Sequence, residues 1–344
     1  MVMRFYKPTL RRKDMDAVLQ AMVDERIGPG ERVDSFVQDL KTYLRCDGAC
    51  VALRTGTDAI TIALQAADVK AGSTIGISAL SPSYYASAIT GMGCTFSIGD
   101  ISSDGILSED EALRLQDEGS DAILLYEPSG SMCRNGSYEH VRIPIIEDIT
   151  ESIGSVFSSQ ERIPVGSAMI CAFEEDNIVS TGGGAAIISV DKTYSESLDT
   201  LMNSRKDRTI IEMADLNAAL GIIQLMLLPR HIERRRAIYE QYRQAQLRNR
   251  HALFGISDID FEPNGSAFTI ILESKLEDIV QFAHKYEVPV KPAFRNAVIA
   301  IDTEEFQKFP NAMPCILRAV SFPIYPFLPN QHVSQVERVI AHAP

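Results

Sequence analysis

The sequence predicts an α/β fold: a mainly parallel sheet covered by helices, followed by a smaller α+β unit. Three observations predict it. Short apolar runs alternate with helical stretches over the first 190 residues, the pattern of strand–helix–strand crossovers. A long helical region then covers 212–249, and strands mix with helices after it. A chain of 344 residues with 45% apolar content can bury a large core. Its length suits two domains, placed at 1–230 and 231–344.

The elements follow in order. "KDMDAVLQAMVDER" (13–26) and "DSFVQDLKTYL" (34–44) carry apolar residues at i, i+3 and i+4 and read as amphipathic helices, with "IGPGERV" as the turn between them. "ACVAL" (49–53) is a short strand feeding "RTGTDAITIALQAADV", a tight turn and a helix with Thr57 near its N-cap. Strands at 74–79 and 94–101 flank the helix-like "SPSYYASAITGMG". Ser108 opens an acidic helix to residue 118, and strands follow at 121–128, 141–148, 167–173 and 185–190. The helical region at 212–249 is interrupted at Pro229, and the last third adds strands such as "FTIIL", "VPVKP" and "LRAVSFP".

Composition excludes several functions. A formal charge of −13 argues against nucleic acid or an anionic membrane as partner. The basic stretch "RHIERRRAIYEQYRQAQLRNR" (230–250) reads as one solvated helix face. The N-terminus has no apolar segment of signal-peptide length and no run reaches membrane-spanning length, so a cytoplasmic protein is expected. The six cysteines and six histidines have no metal-ligand spacing, and the thiols are expected to be reduced.

Ligands of open α/β sheets bind beyond the carboxyl ends of the strands. That rule selects "RTGTD" after the strand at 49–53, "EDITES" after the strand at 141–146 and "FEEDN" after the strand at 167–173. Gly56 and Thr57 stand at a helix N-terminus, which suits a phosphate or serves merely as a cap. Asp148 ends an apolar strand, where a carboxylate needs a partner, a helix cap or an ion pair. The loop "EEDNIVSTGGGAA" (174–186) leads through a glycine cluster into the next strand.

Together these segments resemble the fold type I, pyridoxal-phosphate-dependent sugar aminotransferases of the DegT/DnrJ/EryC1/StrS group. "TGTDAI", "PIIEDITESIGS", "MADLNAALGIIQLMLL" and "SFPIYPFLPNQHVSQVERVI" match that family's motifs in order, as does the opening "RFYKPTLRRKDMDAVLQAMVDERIGPG". The resemblance implies a seven-stranded-type sheet in a large α/β/α domain, a smaller C-terminal α+β domain and a homodimer. It implies a cofactor site at Gly56, Thr57, Tyr84, Asp148, Glu151, Ala172 and Asn177. Asp148 would keep the pyridine nitrogen protonated.

The chemistry departs from the family. Its Schiff-base lysine falls on Asn177, or on Asp176 with a one-residue slip, and no lysine occurs between Lys70 and Lys192. Lys192 itself reads as part of a surface turn. The family's phosphate-binding Ser falls on Ala172, its Gln near the phenolic oxygen on Glu151, and its stacking aromatic on Pro82, beside Tyr84 and Tyr85. Ile210 and Glu212 replace the polar residues of its Asn-x-Arg-Met. The resemblance with these departures implies no catalytic lysine, and a pyridoxal or pyridoxamine phosphate held without a covalent bond or not at all. The expected role is a non-catalytic binding or partner subunit in sugar-nucleotide or polysaccharide metabolism. It would act as a homodimer or as a heterodimer with an intact paralogue. Two alternatives stand beside it: a dehydratase-like enzyme using Glu151 or Glu175 as base, and an aminotransferase drawing its lysine from another segment or subunit.

Overall fold

The computed structural model describes residues 2–158, 162–256, 258–299 and 307–344. Helices α1 (Arg12–Val23) and α2 (Glu31–Leu44) open the chain. Then β1 (Cys50–Leu53), α3 (Gly56–Ala66), β2 (Thr74–Ser78), α4 (Ser83–Gly91), β3 (Thr95–Gly99), α5 (Glu109–Asp117) and β4 (Ala122–Tyr126) alternate. β5 (Ile145–Asp148), β6 (Val156–Phe157), β7 (Ala168–Ala172) and β8 (Ala185–Ser189) follow. The seven-stranded sheet has the order β1-β8-β7-β5-β4-β2-β3. Only β8 runs against its neighbours, β1 and β7.

β4 shows why these runs are strands of a covered sheet. All five of its residues are buried. Leu124 and Tyr126 pack with Ile60, Leu64 and Ile89 on one face, and Ile123 and Leu125 with Leu107 and Leu115 on the other. Such two-sided burial is the mark of a parallel sheet between helical layers. The helix after β1 starts two residues earlier than the sequence suggests. Its N-cap is Thr55, not Thr57, because the Thr55 hydroxyl accepts the Asp58 amide at 3.0 Å.

α6 (Lys192–Ser204) and α7 (Arg208–Ile211) lead into α8 (Asp215–Gln246). Lys192 therefore opens a helix rather than a turn, its side chain exposed and 3.8 Å from Glu196. α8 passes unbroken through Pro229, where an interruption was expected. An internal proline costs about 3 kcal/mol. Leu225, Leu228, Ile232 and Ile238 are buried on both sides of it. At about 1.5–3 kcal/mol each, their burial outweighs the lost hydrogen bond. The expected domain division at 230 falls inside this helix.

The C-terminal part contains β9 (Ala252–Leu253), β10 (Phe261–Glu262), β11 (Phe268–Ile271), α9 (Leu276–Lys285), β12 (Lys291–Pro292) and β13 (Ala319–Phe322). β12-β13-β11-β9 form an antiparallel sheet. The helix Asn330–Ala341 and the second half of α8 cover it through Ile238, Tyr242, Val336 and Ile340. β6 pairs with β10 and ties the two parts together. Among the described residues, no helix is long and apolar enough to cross a membrane.

Candidate functional site

The carboxyl ends of β1, β2, β4, β5 and β7 converge above one edge of the large sheet. The segments they launch enclose a cavity of about 350 Å³. Gly56, Thr57, Tyr84, Asp148, Glu151, Ala172, Asp176 and Asn177 all line it. The residues picked out along the sequence are thus brought to one place. Thr55, Thr150 and Glu174, from the three selected segments, line it as well, and so does Tyr126, which lay outside them. Tyr126 could have been picked out, since it ends the strand "AILLY" on the ligand-binding side.

Asp148 is buried at the end of β5. The Thr150 amide donates to its Oδ1 at 2.9 Å, the Tyr85 hydroxyl donates to its Oδ2, and the Tyr84 hydroxyl lies 3.5 Å from the same oxygen. Burial pushes the Asp148 carboxyl up, against the lowering effect of Thr150 and Tyr85. Glu151 accepts the Tyr126 hydroxyl at 2.7 Å and the Ser129 amide at 2.6 Å. Burial raises its pKa too, with Asp148 and Asp176 adding to the effect. Burial and then Asp176 raise Glu174.

The loop after β7 splits into two parts. Glu174, Glu175 and Asp176 are exposed, and the Asn177 amide closes a turn onto the Glu174 carbonyl at 3.2 Å. Beyond it the glycines serve packing. Gly182, Gly183 and Gly184 all have positive φ. A Cβ on Gly184 would stand 2.5 Å from Met213 Cε and 3.2 Å from the Leu53 carbonyl oxygen.

A second cavity, of about 310 Å³, adjoins the first. Tyr126, Thr150, Glu151, Asp176 and Asn177 line both. Its far side brings Arg235, Lys291 and Arg295, none of which was singled out from the sequence. Arg235 corrects the reading of 230–250 as a solvated face: it is 4% exposed. α8 lies between the two parts of the molecule, so one flank of its basic stretch faces inward. Arg235 Nη1 donates to the carbonyls of Gly265 at 3.1 Å and Ile324 at 2.9 Å, while Nε has no hydrogen-bond partner. Burial lowers its pKa to about 10. The Lys291 ammonium stands 4.6 Å from the centre of the Phe5 ring.

The profile of the DegT/DnrJ/EryC1/StrS aminotransferase family matches residues 8–341. The chain belongs to that family. It is 26% identical over 301 residues to the UDP-4-amino-4,6-dideoxy-N-acetyl-beta-L-altrosamine transaminase of Campylobacter jejuni (strain 81-176), covering 82% of this chain and 74% of the other. Among solved structures it is similar to the aminotransferase TlmJ from Streptoalloteichus hindustanus, with a TM-score of 0.87, 18% identity, and 99% and 98% of the two chains covered. It is also similar to the E. coli GDP-4-keto-6-deoxy-D-mannose-3-dehydratase with bound hydrated PLP, at a TM-score of 0.84 and 16% identity, covering 99% of this chain and 100% of the other. The fold is that of the fold type I aminotransferases, with the small antiparallel sheet added to the large one.

Membership in the family raises the question of whether these residues fit its cofactor. Asp148 stands at a strand end where a pyridine nitrogen could be met, but Tyr85 and Tyr84 already address its Oδ2. The phosphate end fits worse. Among the described residues lining the first cavity there is no lysine, arginine or histidine, while Asp148, Glu151, Glu174 and Asp176 all contribute carboxylates. At an effective dielectric of about 20, one like charge about 8 Å away opposes an anion by about 2 kcal/mol. The Thr55 hydroxyl is engaged by the Asp58 amide at 3.0 Å and the Asp58 carboxylate at 2.7 Å. The donors that remain are uncharged: main-chain amides at the start of α3, the Thr57 hydroxyl and the Asn177 side-chain amide. The residues of this chain do not fit a phosphate dianion bound beside an imine-forming amine.

Proposed function

We propose that this protein is a member of the sugar aminotransferase family that does not carry out ordinary transamination. It acts instead as a binding or partner subunit in sugar-nucleotide or polysaccharide metabolism. One observation carries the reading: Asn177 lines the cavity at the family's lysine position, and no amine lines that cavity among the described residues. An amide nitrogen has no basic lone pair, so it can neither form an imine nor shuttle a proton at neutral pH. Any pyridoxal or pyridoxamine phosphate would be held without a covalent bond. A homodimer is part of this reading. The exposed Met15, Leu19, Met22 and Val23 form one apolar stripe along α1 that suits a second copy. A heterodimer with an intact paralogue would use the same stripe.

The test is to add pyridoxal phosphate, reduce with borohydride and weigh the intact protein. No adduct is expected. A single stoichiometric adduct on one lysine, with Lys291 the first to map, would overturn the proposal and restore an aminotransferase with a displaced lysine. A second reading is favoured by Glu151, a cavity carboxyl raised by burial and bonded to Tyr126. A raised carboxyl is a better proton acceptor when ionised. It would suit a dehydration of a keto-sugar nucleotide, the class of reaction named for the E. coli neighbour. Tight cofactor binding with no reducible adduct, and loss of product on Glu151→Gln, would establish it.

A further inference from the structure

We propose that the outer flank of α8, together with the segment leading into α1, binds a compact phosphate anion between Arg11, Arg230 and Arg234 beside Phe327. None of these four residues lines either cavity of the candidate site. The inference is therefore independent of what fills the cleft.

Packing brings the cations together. The buried Gln224 side-chain amide donates to the Thr9 carbonyl at 3.1 Å and holds the segment before α1 against α8. His231 follows two turns later on the same face of α8 and is 3% exposed. Its ring meets Phe327 edge-on at 6.0 Å, and the Arg11 guanidinium lies over the same Phe327 ring at 4.4 Å. Arg234 Nη2 donates to the Leu328 carbonyl at 3.4 Å and to Asn330 Oδ1 at 2.7 Å. Arg230 is exposed one turn before Arg234.

This flank lacks counter-charge. Further along α8, Arg236 pairs with Glu262 at 2.9 Å and Arg243 with Glu240 at 2.7 Å. No carboxylate among the described residues pairs with Arg11, Arg230 or Arg234, although Glu233 is exposed between the last two. Like charges one helical turn apart oppose each other, and an anion between them removes that repulsion. His231 is a second, separate sign. Its buried Nε2 has no hydrogen-bond partner. Burial, and then the charges of Arg11, Arg235 and Arg230, lower its pKa to about 4. At neutral pH the ring is uncharged and keeps one N–H to donate.

The donors select the anion. Stacking on Phe327 engages the face of the Arg11 guanidinium and leaves its N–H edge free. Arg234 uses Nη2 alone, so its other nitrogens remain. Two guanidinium edges suit the several oxygens of a phosphate better than the two of a carboxylate. The ligand must also be compact. The chain carries −13 overall, and charge is screened beyond about 8 Å at physiological ionic strength. A small anion therefore feels this flank, whereas an extended polyanion meets the acidic surface around it.

Isothermal titration calorimetry of the full chain tests this, in a Lys291→Ala/Arg295→Ala background that removes two cations of the cleft. Pyrophosphate, glycerol 3-phosphate and succinate are the probes. At least one of the two phosphates is expected to bind at one site per chain, about tenfold or more tighter than succinate. Which of the two binds tighter tells a free phosphate from an ester. Adding Arg11→Ala and Arg230→Ala, both at exposed positions, should weaken that binding about tenfold or more. Arg11→Lys keeps the charge but loses the planar fork, and should weaken it as well. Histidine-selective NMR places the anion, since its charge should move the His231 pKa upward. No binding by either phosphate would overturn the proposal, as would affinity unchanged by Arg11→Ala and Arg230→Ala. Succinate binding as tightly as the phosphates, Arg11→Lys binding like the parent, or an unmoved His231 titration would overturn it too.

Discussion

Tyr85→Phe probes how the protein holds a carboxylate at the end of a buried strand. Tyr85 is fully buried, and its ring packs edge-on against Tyr84 at 5.0 Å and Tyr126 at 6.1 Å. Phenylalanine keeps that packing and removes only the hydroxyl that donates to Asp148 Oδ2. Asp148 would retain the Thr150 amide at 2.9 Å and the long 3.5 Å approach of Tyr84. A hydrogen bond to a charged group contributes about 1.5–3 kcal/mol, and one to a neutral group about 1 kcal/mol. The sign with pH follows from the raised Asp148 pKa. Between the unfolded value and the raised one, the native state binds more protons than the unfolded state, so stability falls as pH rises. Removing Tyr85's hydroxyl, which favours the ionised form, raises that pKa further and steepens the fall. The expected loss is about 2 kcal/mol where Asp148 is ionised, shrinking towards about 1 kcal/mol where it is protonated. Urea unfolding from about pH 4.5 to 8 measures it. In an Asp148→Asn background the same change should cost about 1 kcal/mol or less, with no pH trend. An equal loss in both backgrounds, flat across pH, would show that the Tyr85–Asp148 bond is not what stabilises this carboxylate.

Arg162 bridges Glu127 at 2.9 Å and Glu147 at 3.0 Å, both carboxylates buried. Arg162→Leu should therefore destabilise by about 3–5 kcal/mol, with partial recovery on adding Glu147→Gln, and an unchanged urea midpoint would refute the pairing. Gly184→Ala, at φ 119° with Met213 Cε only 2.5 Å from the new Cβ, should lose more stability than Gly183→Ala, whose nearest neighbour is 3.8 Å away. Strain alone is worth about 1–3 kcal/mol at such a position, and equal thermal shifts would count against the packing role. Asn177→Lys restores an amine but leaves Asp148, Glu151, Glu174 and Asp176 around it. Transamination of a keto-sugar nucleotide should stay undetectable by coupled assay, and turnover would show that the carboxylates do not block the chemistry.

The strands and their ligand-binding ends were legible because a parallel sheet buries whole apolar runs, and "AILLY" or "AAIIS" can be little else. The family comparison then indexed the loops at those ends, which is why Gly56, Asp148, Ala172 and Asn177 all face one cavity. What stayed hidden depends on contacts far apart in sequence. Thr55 rather than Thr57 caps its helix because of where one hydroxyl lies relative to one amide. Arg235 looks like its exposed neighbours in "IERRRAIYE", and only the packing of α8 against both parts of the molecule shows that it points inward. Lys291 and Arg295 come from a segment about 140 residues after Asp148, and no local pattern connects them to it. Pro229 misled in the opposite direction, since a strong local signal was overridden by burial on both sides.

The two halves of the loop after β7 explain how a fold can be kept while its chemistry changes. The course of the loop is fixed by groups that touch protein. The Phe173 amide bonds the Gly184 carbonyl at 2.8 Å, and the amides of Thr181 and Gly183 return to the Phe173 carbonyl at 3.0 and 3.1 Å. Gly184 has no room for a side chain between Met213 and Leu53. Residues 174–176 are exposed, and the bonds to the main chain of this turn, from the Asn177 amide to the Glu174 carbonyl and from the Tyr6 hydroxyl to the Glu175 carbonyl, ask for no particular side chain at 174–176. Substitutions there should alter stability by no more than about 0.5 kcal/mol, yet each carboxylate gained or amine lost changes the charge of the cavity by a full unit. Selection on folding is therefore nearly blind to these positions. A TM-score of 0.87 to an aminotransferase is what this arrangement yields whether or not an amine stands at residue 177, so function has to be argued from the cavity and not from the fold.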